Sequence, residues 1–143
     1  MATIVNLAEA IKNGLNDMAF SWSCVAERGY RPREDLKDMD EVMVAVIPAS
    51  QAPDEAKSTR GGTGYEYRVD VGVQYHYPDD EPEDLDPLMD LVEEIMDHLR
   101  GLDVSHVAGA KILGLRNDPV YVPEHMRQRV FTSVINVRYA AWR

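Results

Sequence analysis

The sequence predicts an α+β domain, a mostly antiparallel sheet of four to five strands with two helices packed on it. Three observations favour this class. Apolar and polar residues alternate without a break over 65–77, apolar residues recur at helical spacing over 4–19 and after residue 85, and 130–142 is rich in β-branched and aromatic side chains. With 45% hydrophobic and 28% charged residues, the chain is expected to fold as a single domain, 1–143.

The N-terminal segment 4–19 is predicted to be an amphipathic helix. Its apolar residues share one side of a helical projection: Ile4, Leu7, Ala8, Ile11, Leu15 and Met18. Polar residues, Glu9 among them, lie on the other side. Asn6 followed by Glu9 also fits a capping box, which would start the helix at Asn6.

Two strands and two connections are predicted between residues 22 and 64. The segment 22–30 has the residue types of a strand, and the charged stretch 31–41 is predicted to be a solvated loop. The apolar run 42–47 indicates a strand covered on both faces, which Pro48 is expected to close. Small and polar residues fill 49–64, which is predicted to be a flexible inter-strand loop.

Residues 65–77 are predicted to form a long strand. The odd positions are all Tyr or Val, whereas the even positions are Glu, Arg, Asp, Gly, Gln and His. This alternation indicates one buried and one solvent-facing side over about 43 Å, at about 3.3 Å per residue. The tyrosines at both ends fit packing at the core and rim of the sheet, or contacts of an overlong strand with a neighbouring subunit.

A second helix and two further strands complete the predicted order α-β-β-β-α-β-β. Asp86 is the expected N-cap, Pro87 the first helical residue and Gly101 the C′ residue. The segments 110–115 and 130–142 follow as strands. Because the last strand is apolar on both faces, it is expected to be covered on both sides.

Charge is unevenly distributed along the chain. The sequence has 15 Lys and Arg against 25 Asp and Glu, a net charge of −10. Ten of the acids, and no Lys or Arg, lie in 79–97. This balance disfavours sequence-independent binding to nucleic acid or to an anionic membrane. The block itself fits either a solvated helix face or a negative surface for a cationic partner.

No motif in the sequence indicates catalysis. The four histidines lack metal-ligand spacing, the single cysteine excludes an intramolecular disulfide, and the glycines at 61–64 lack the ending of a P-loop. We therefore predict no catalytic residue, no metal, no cofactor and no membrane association. The alternative is a small intracellular enzyme or ligand-binding domain using His76, Asp70 or Cys24. Such a domain would show a deep polar pocket of about 300 Å³ or more.

Several stretches of the sequence resemble one family of proteins. They are MATIVNLAEAIKNGLN, AERGYRPREDLKDMD, YRVDVGVQ, LMDLVEEI and NDPVYVPEHMRQRVFTSVINVRY. Together they are similar to the tail-terminator proteins of tailed phages and prophages, also described as tail-completion or head–tail joining proteins. In that family a helix-backed sheet assembles edge to edge into a ring.

The resemblance implies a structural virion protein of the phage neck, assembled in the host cytoplasm. It implies a homo-oligomeric ring, a hexamer, that caps the tail tube and joins it to the head. The implied partners are further copies of the chain, the tail tube protein and head connector or neck proteins, while DNA passes through the lumen without specific binding. A head-side connector or stopper ring is the nearest alternative.

The subunit and partner interface is predicted to use charged residues. One expected pairing is between the acidic helix and the C-terminal part 100–143, which holds seven bases and three acids. The candidate interface residues are Lys57, Arg60, Glu66, Arg68, Asp70, His76, Asp90, Glu93, Glu94, Asp97, Arg127 and Arg129.

Overall fold

The computed structural model describes residues 2–21, 24–29, 42–59, 62–76, 85–127 and 129–142. The charged stretch 31–41, the acids at 79–84 and Arg60 lie outside the described residues. The described helices are α1 (Thr3–Asn16), α2 (Asp86–Gly101) and α3 (Pro123–Met126). The described strands are β1 (Cys24–Arg28), β2 (Val42–Thr59), β3 (Gly62–His76), β4 (Lys111–Asn117) and β5 (Val130–Trp142).

The strands form a five-stranded sheet in the order β1-β2-β3-β5-β4. The pairings β2–β3, β3–β5 and β4–β5 are antiparallel, whereas β1 runs parallel to β2. The sheet is therefore mixed, with three antiparallel pairings out of four, and the predicted α+β class with a mostly antiparallel sheet is confirmed.

Helices α1 and α2 pack on one face of the sheet and enclose the core. The odd-numbered residues of β3 and β5 are buried against them, including Tyr67, Val71 and Ile135. The predicted apolar side of each helix supplies the opposing residues, among them Leu7 and Leu88. Full burial of each aliphatic side chain contributes about 1.5–3 kcal/mol, so the two layers are held together mainly by apolar burial. We call the opposite side of the sheet the open face.

A close approach joins the end of α1 to α2. The His98 Nε2–H donates to the Gly14 carbonyl oxygen at 2.9 Å, and the His98 ring meets Phe20 edge to face with ring centroids 5.7 Å apart. A Cβ on Gly14 would lie 2.6 Å from a methyl carbon of Leu102. A larger residue at position 14 would therefore require the Leu102 side chain to move.

The predicted loop over 49–64 is wrong, because most of this segment is strand. β2 continues to Thr59 and pairs with β3, with a bulge between Pro48 and Ser50. Pro48 does not end the strand because β1 pairs with β2 only as far as Val46. Beyond that point β2 is an edge on that side within the described residues, and an edge strand tolerates a residue without an N–H.

The predicted helix ends also need correction. α1 begins at Thr3 and ends at Asn16, and its N-cap, Ala2, makes no side-chain capping bond, so the capping box starting at Asn6 is wrong. In α2 the N-cap is Leu85, not Asp86, and Gly101 is the last helical residue rather than C′. The acid at the start of α2 still lies near the positive end of the helix dipole.

A third helix, α3, was not predicted. It contacts β5 through a hydrogen bond of 2.7 Å between His125 Nδ1 and the Thr132 hydroxyl. Thr132 lies on the open-face side of β5 and is buried. α3 therefore covers the beginning of β5, as expected for a strand with apolar residues on both faces, whereas Trp142 at its other end stays exposed.

Candidate functional site

The open face of the sheet contains a depression of about 460 Å³ that we call the arginine depression. Its lining residues come from three adjacent strands: Arg68, Gly114, Leu115, Arg116, Asn136 and Arg138. Three guanidinium groups therefore lie together on a chain whose net charge is −10. The three arginines are drawn from three different strands of the sheet.

Strand register brings these residues together. Arg68 of β3 pairs with Arg138 of β5, and Arg138 pairs in turn with Gly114 of β4. Arg116 lies two residues further along β4, opposite Asn136. Paired residues in a sheet point to the same face. A register shift between Ile112 and Gly114 sets this alignment on β4.

Each arginine of the depression has a carboxylate beside it. Arg68 donates from Nε and Nη2 to the two carboxylate oxygens of Asp70, both at 3.2 Å. Arg116 Nη2 lies 2.6 Å from Asp118 Oδ2, and Arg138 Nη1 lies 3.2 Å from Glu66 Oε1. The arginine side chains remain 47%, 74% and 53% exposed respectively. Exposed pairs of this kind contribute about 0–1 kcal/mol each, so they add little to the stability of the fold.

Gly114 leaves room for the Arg138 guanidinium at the floor of the depression. A Cβ at position 114 would lie 3.2 Å from Arg138 Nη2. The guanidinium would have to shift by a few tenths of an ångström to admit a Cβ there, and further to admit a larger side chain.

The exposed side of α2 carries the opposite charge. Asp90, Glu93 and Asp97 are exposed and lie diametrically opposite the buried side of the helix. We call these three residues the acidic face of α2. Glu94 instead accepts hydrogen bonds from the backbone N–H of Ser21, at 3.2 Å, and from its hydroxyl. Among the predicted interface acids, Glu94 thus ties α2 to the segment that follows α1.

The other predicted interface residues are not gathered at this site. His76 is on the open-face side of β3 but six residues from Asp70, which is about 20 Å along a strand. Arg127 is the exposed C-cap of α3, and Arg129 is exposed with a φ of 58°. Lys57 lies within β2.

Sequence reasoning placed Glu66, Arg68 and Asp70 on the polar side of β3, and the structure brings them to the depression. It missed Arg116 and Arg138. The signal available for Arg138 was its polar position between two buried residues of the last strand. The sequence alone does not show that β5 lies next to β3, so it could not predict that the arginines of these strands come together.

The residues of the enzymatic alternative do not converge. Cys24 lies on the helix-covered side of the sheet, whereas Asp70 and His76 lie on the open-face side. Burial, and then the charge of Glu94, raises the pKa of the Cys24 thiol, which disfavours a reactive thiolate. Although the arginine depression exceeds 300 Å³, the side chains of its three arginines are 47–74% exposed, so it is a shallow surface and not a deep pocket.

Within the described part of the chain, no group of three or more His, Cys, Asp or Glu side chains is arranged to hold a metal ion. No helix of that part is long and apolar enough to span a membrane.

Comparison with known proteins identifies the fold. The sequence matches no protein-family model and no curated protein. The structure matches the PVC sheath/tube terminator of an extracellular contractile injection system, determined by cryo-EM in the extended state, with a TM-score of 0.50 and 10% sequence identity. The chain has a terminator-like fold. The match covers 100% of this chain and 57% of the terminator chain, so this chain spans somewhat more than half of that protein's length.

Proposed function

We propose that this chain is a structural terminator subunit that assembles into a ring on the last layer of a tail tube. The observation that supports the proposal is the fold match, which extends over the whole chain to a protein described as a sheath/tube terminator. A ring on the end of a tube occupies the surface on which the next layer of tube subunits would assemble. Termination therefore requires binding surfaces and no chemical step.

The finer part of the proposal places the protein in the neck of a tailed phage. There it forms a hexameric ring in the virion, assembled in the host cytoplasm, and presents a surface to head connector proteins. DNA passes through the ring without specific binding. A net charge of −10 per subunit suits this role, because a negative surface repels phosphate and keeps DNA mobile.

A closed ring requires two different complementary surfaces on each subunit. The described residues offer two such surfaces, the arginine depression on the open face and the acidic face of α2 on the opposite side of the molecule. Their presence supports assembly by repeated head-to-tail contacts.

Co-assembly with tube protein tests this function. Tube protein is polymerised with and without the chain, and tube lengths are measured by negative-stain electron microscopy. A terminator shortens the tubes and decorates one end of each with a ring. Normal tube lengths, together with binding to an isolated head connector, would favour the stopper ring instead. Absence of binding to either assembly would contradict the proposed function.

A further inference from the structure

We propose that the arginine depression of one copy binds the acidic face of α2 of the next copy. This inference rests on the proposed function, because it names the contact that would build the ring. The occupant of the open face is then a second copy of this chain.

The two surfaces of one chain cannot pair with each other. Helix α2 turns its buried residues, such as Leu88 and Ile95, toward the sheet and its acids directly away from it. The arginine depression lies on the other side of the same sheet. A contact between them therefore joins different copies head to tail. Contacts of that type close into a ring when the rotation between successive copies allows it.

The arginines retain hydrogen-bonding capacity after their internal ion pairs are counted. A guanidinium has five N–H donors. Within the described residues, Arg68 uses two nitrogens on Asp70, and Arg116 and Arg138 each use one nitrogen on a neighbouring carboxylate. The remaining N–H groups can donate to a second carboxylate in the planar geometry that guanidinium groups favour.

The dimensions of the two surfaces agree. Along a helix, seven residues at about 1.5 Å each separate Asp90 from Asp97 by about 10 Å. Across the sheet, Arg116 and Arg68 are two strand spacings of about 4.8 Å apart, and Arg116 is level with Asp70, two residues or about 6.6 Å along β3 from Arg68, so the two backbones are about 12 Å apart. A helix lying obliquely across the strands can thus bring its carboxylates within side-chain reach of the guanidinium groups. α2 contains no Lys or Arg before Arg100, so no cation of that helix would face the three arginines.

A protein partner fits the depression better than nucleic acid does. Asp70, Asp118 and Glu66 lie among the arginines. These carboxylates interrupt the positive surface that a continuous phosphate backbone requires. The separate carboxylates of a helix face can instead lie between these acids, each opposite a guanidinium group. Repulsion between two acidic copies is screened beyond about 8 Å at physiological salt, so the local contacts decide the pairing.

A charge-swap experiment on the full chain tests the contact. The sheet variant carries Arg116→Glu and Arg138→Glu, and the helix variant carries Asp90→Lys, Glu93→Lys and Asp97→Lys. Assembly is measured by light scattering and negative-stain microscopy, alone and with tail tube. Glu124→Lys, an exposed acid outside both surfaces, is the matched control. Circular dichroism and thermal melting establish that each variant is folded.

Each variant alone is expected to remain monomeric under conditions in which wild type and control assemble. An equimolar mixture is expected to restore rings, because alternating copies then meet with opposite charges at every contact. The proposed contact would be overturned, and the proposed function left standing, if either variant assembled like wild type. The same would follow if a mixture of the two folded variants failed to form rings. Binding of wild-type protein to duplex DNA through Arg116 and Arg138 would also overturn it. A wild-type chain that never assembles, even with tube, would contradict the proposed function as well.

Discussion

The side chain of Tyr139 gives a quantitative stability prediction. It is fully buried, faces Tyr67 across β3 and β5, and its hydroxyl has no hydrogen-bond partner among the described residues. Burying a hydroxyl without a partner costs about 1–3 kcal/mol. Tyr139→Phe keeps the ring and removes that cost, while the small cavity left behind offsets part of the gain. We expect the free energy of unfolding to rise by about 1 kcal/mol at pH 7, or about 3 °C in Tm.

The same residue makes stability depend on alkaline pH. Burial raises the pKa of Tyr139 far above its ordinary value. Because the pKa is higher in the folded chain, stability is fully present below the unfolded-state pKa of about 10 and is lost as the pH rises above it. Between pH 9 and pH 11 this one residue is expected to cost wild type about 1.4 kcal/mol of unfolding free energy. Phenylalanine has no proton to lose, so the advantage of Tyr139→Phe widens by that amount.

Urea unfolding at pH 7, 9 and 11, followed by circular dichroism, measures both effects. Tyr121→Phe is the control, because Tyr121 is 52% exposed and should change little. If Tyr139→Phe were less stable than wild type at pH 7 and showed no widening at pH 11, its hydroxyl would have a hydrogen-bond partner and the reasoning would be refuted.

Two further substitutions test local contacts. The Asn16 side-chain amide accepts a hydrogen bond from the Ala26 N–H at 2.9 Å and donates one to the Ala26 carbonyl at 3.0 Å. Asn16→Ala should therefore lower the unfolding free energy, measured by urea titration, by about 1–2 kcal/mol. Asn13→Ala, at an exposed position, is the control, and an equal loss from it would argue against this role of Asn16. Gly114→Val should displace the Arg138 guanidinium. It should therefore raise the protein concentration needed for assembly, measured by light scattering, without lowering Tm. Unchanged assembly would exclude the arginine depression from the contact between copies.

Sequence patterns were sufficient where burial alternates cleanly. The alternation over 65–77 predicted β3, which runs Gly62–His76, and the last strand was predicted with the bounds it has, Val130–Trp142. The apolar side of the second helix was also predicted, because its acids lie on the solvent side. β3 and the second helix each bury one face, so periodicity reports directly on their structure, whereas the last strand, with buried residues on both faces, was predicted from its β-branched and aromatic side chains.

β2 was underestimated because its second half has no such pattern. Residues 49–59 are mostly small or polar, and pairing with β3 keeps them extended. Tertiary pairing therefore overrides local propensity in this segment. α3 was missed for a related reason, since four residues are too few to show helical periodicity.

The candidate site was predictable only in part. The polar side of β3 and the acidic side of the second helix can both be read from spacing. The arginine depression cannot, because it depends on β5 lying between β3 and β4 and on the register shift near Gly114. Both features arise from long-range pairing, to which a single sequence gives no direct access.

The mass of the assembled protein tests the central claim most directly. Size exclusion with multi-angle light scattering is run at increasing protein concentration, with and without tail tube. The account predicts a species near six times the 16.2 kDa subunit mass, formed either by the chain alone or on the tube. A strict 16.2 kDa monomer at every concentration, with no binding to tube, would contradict it.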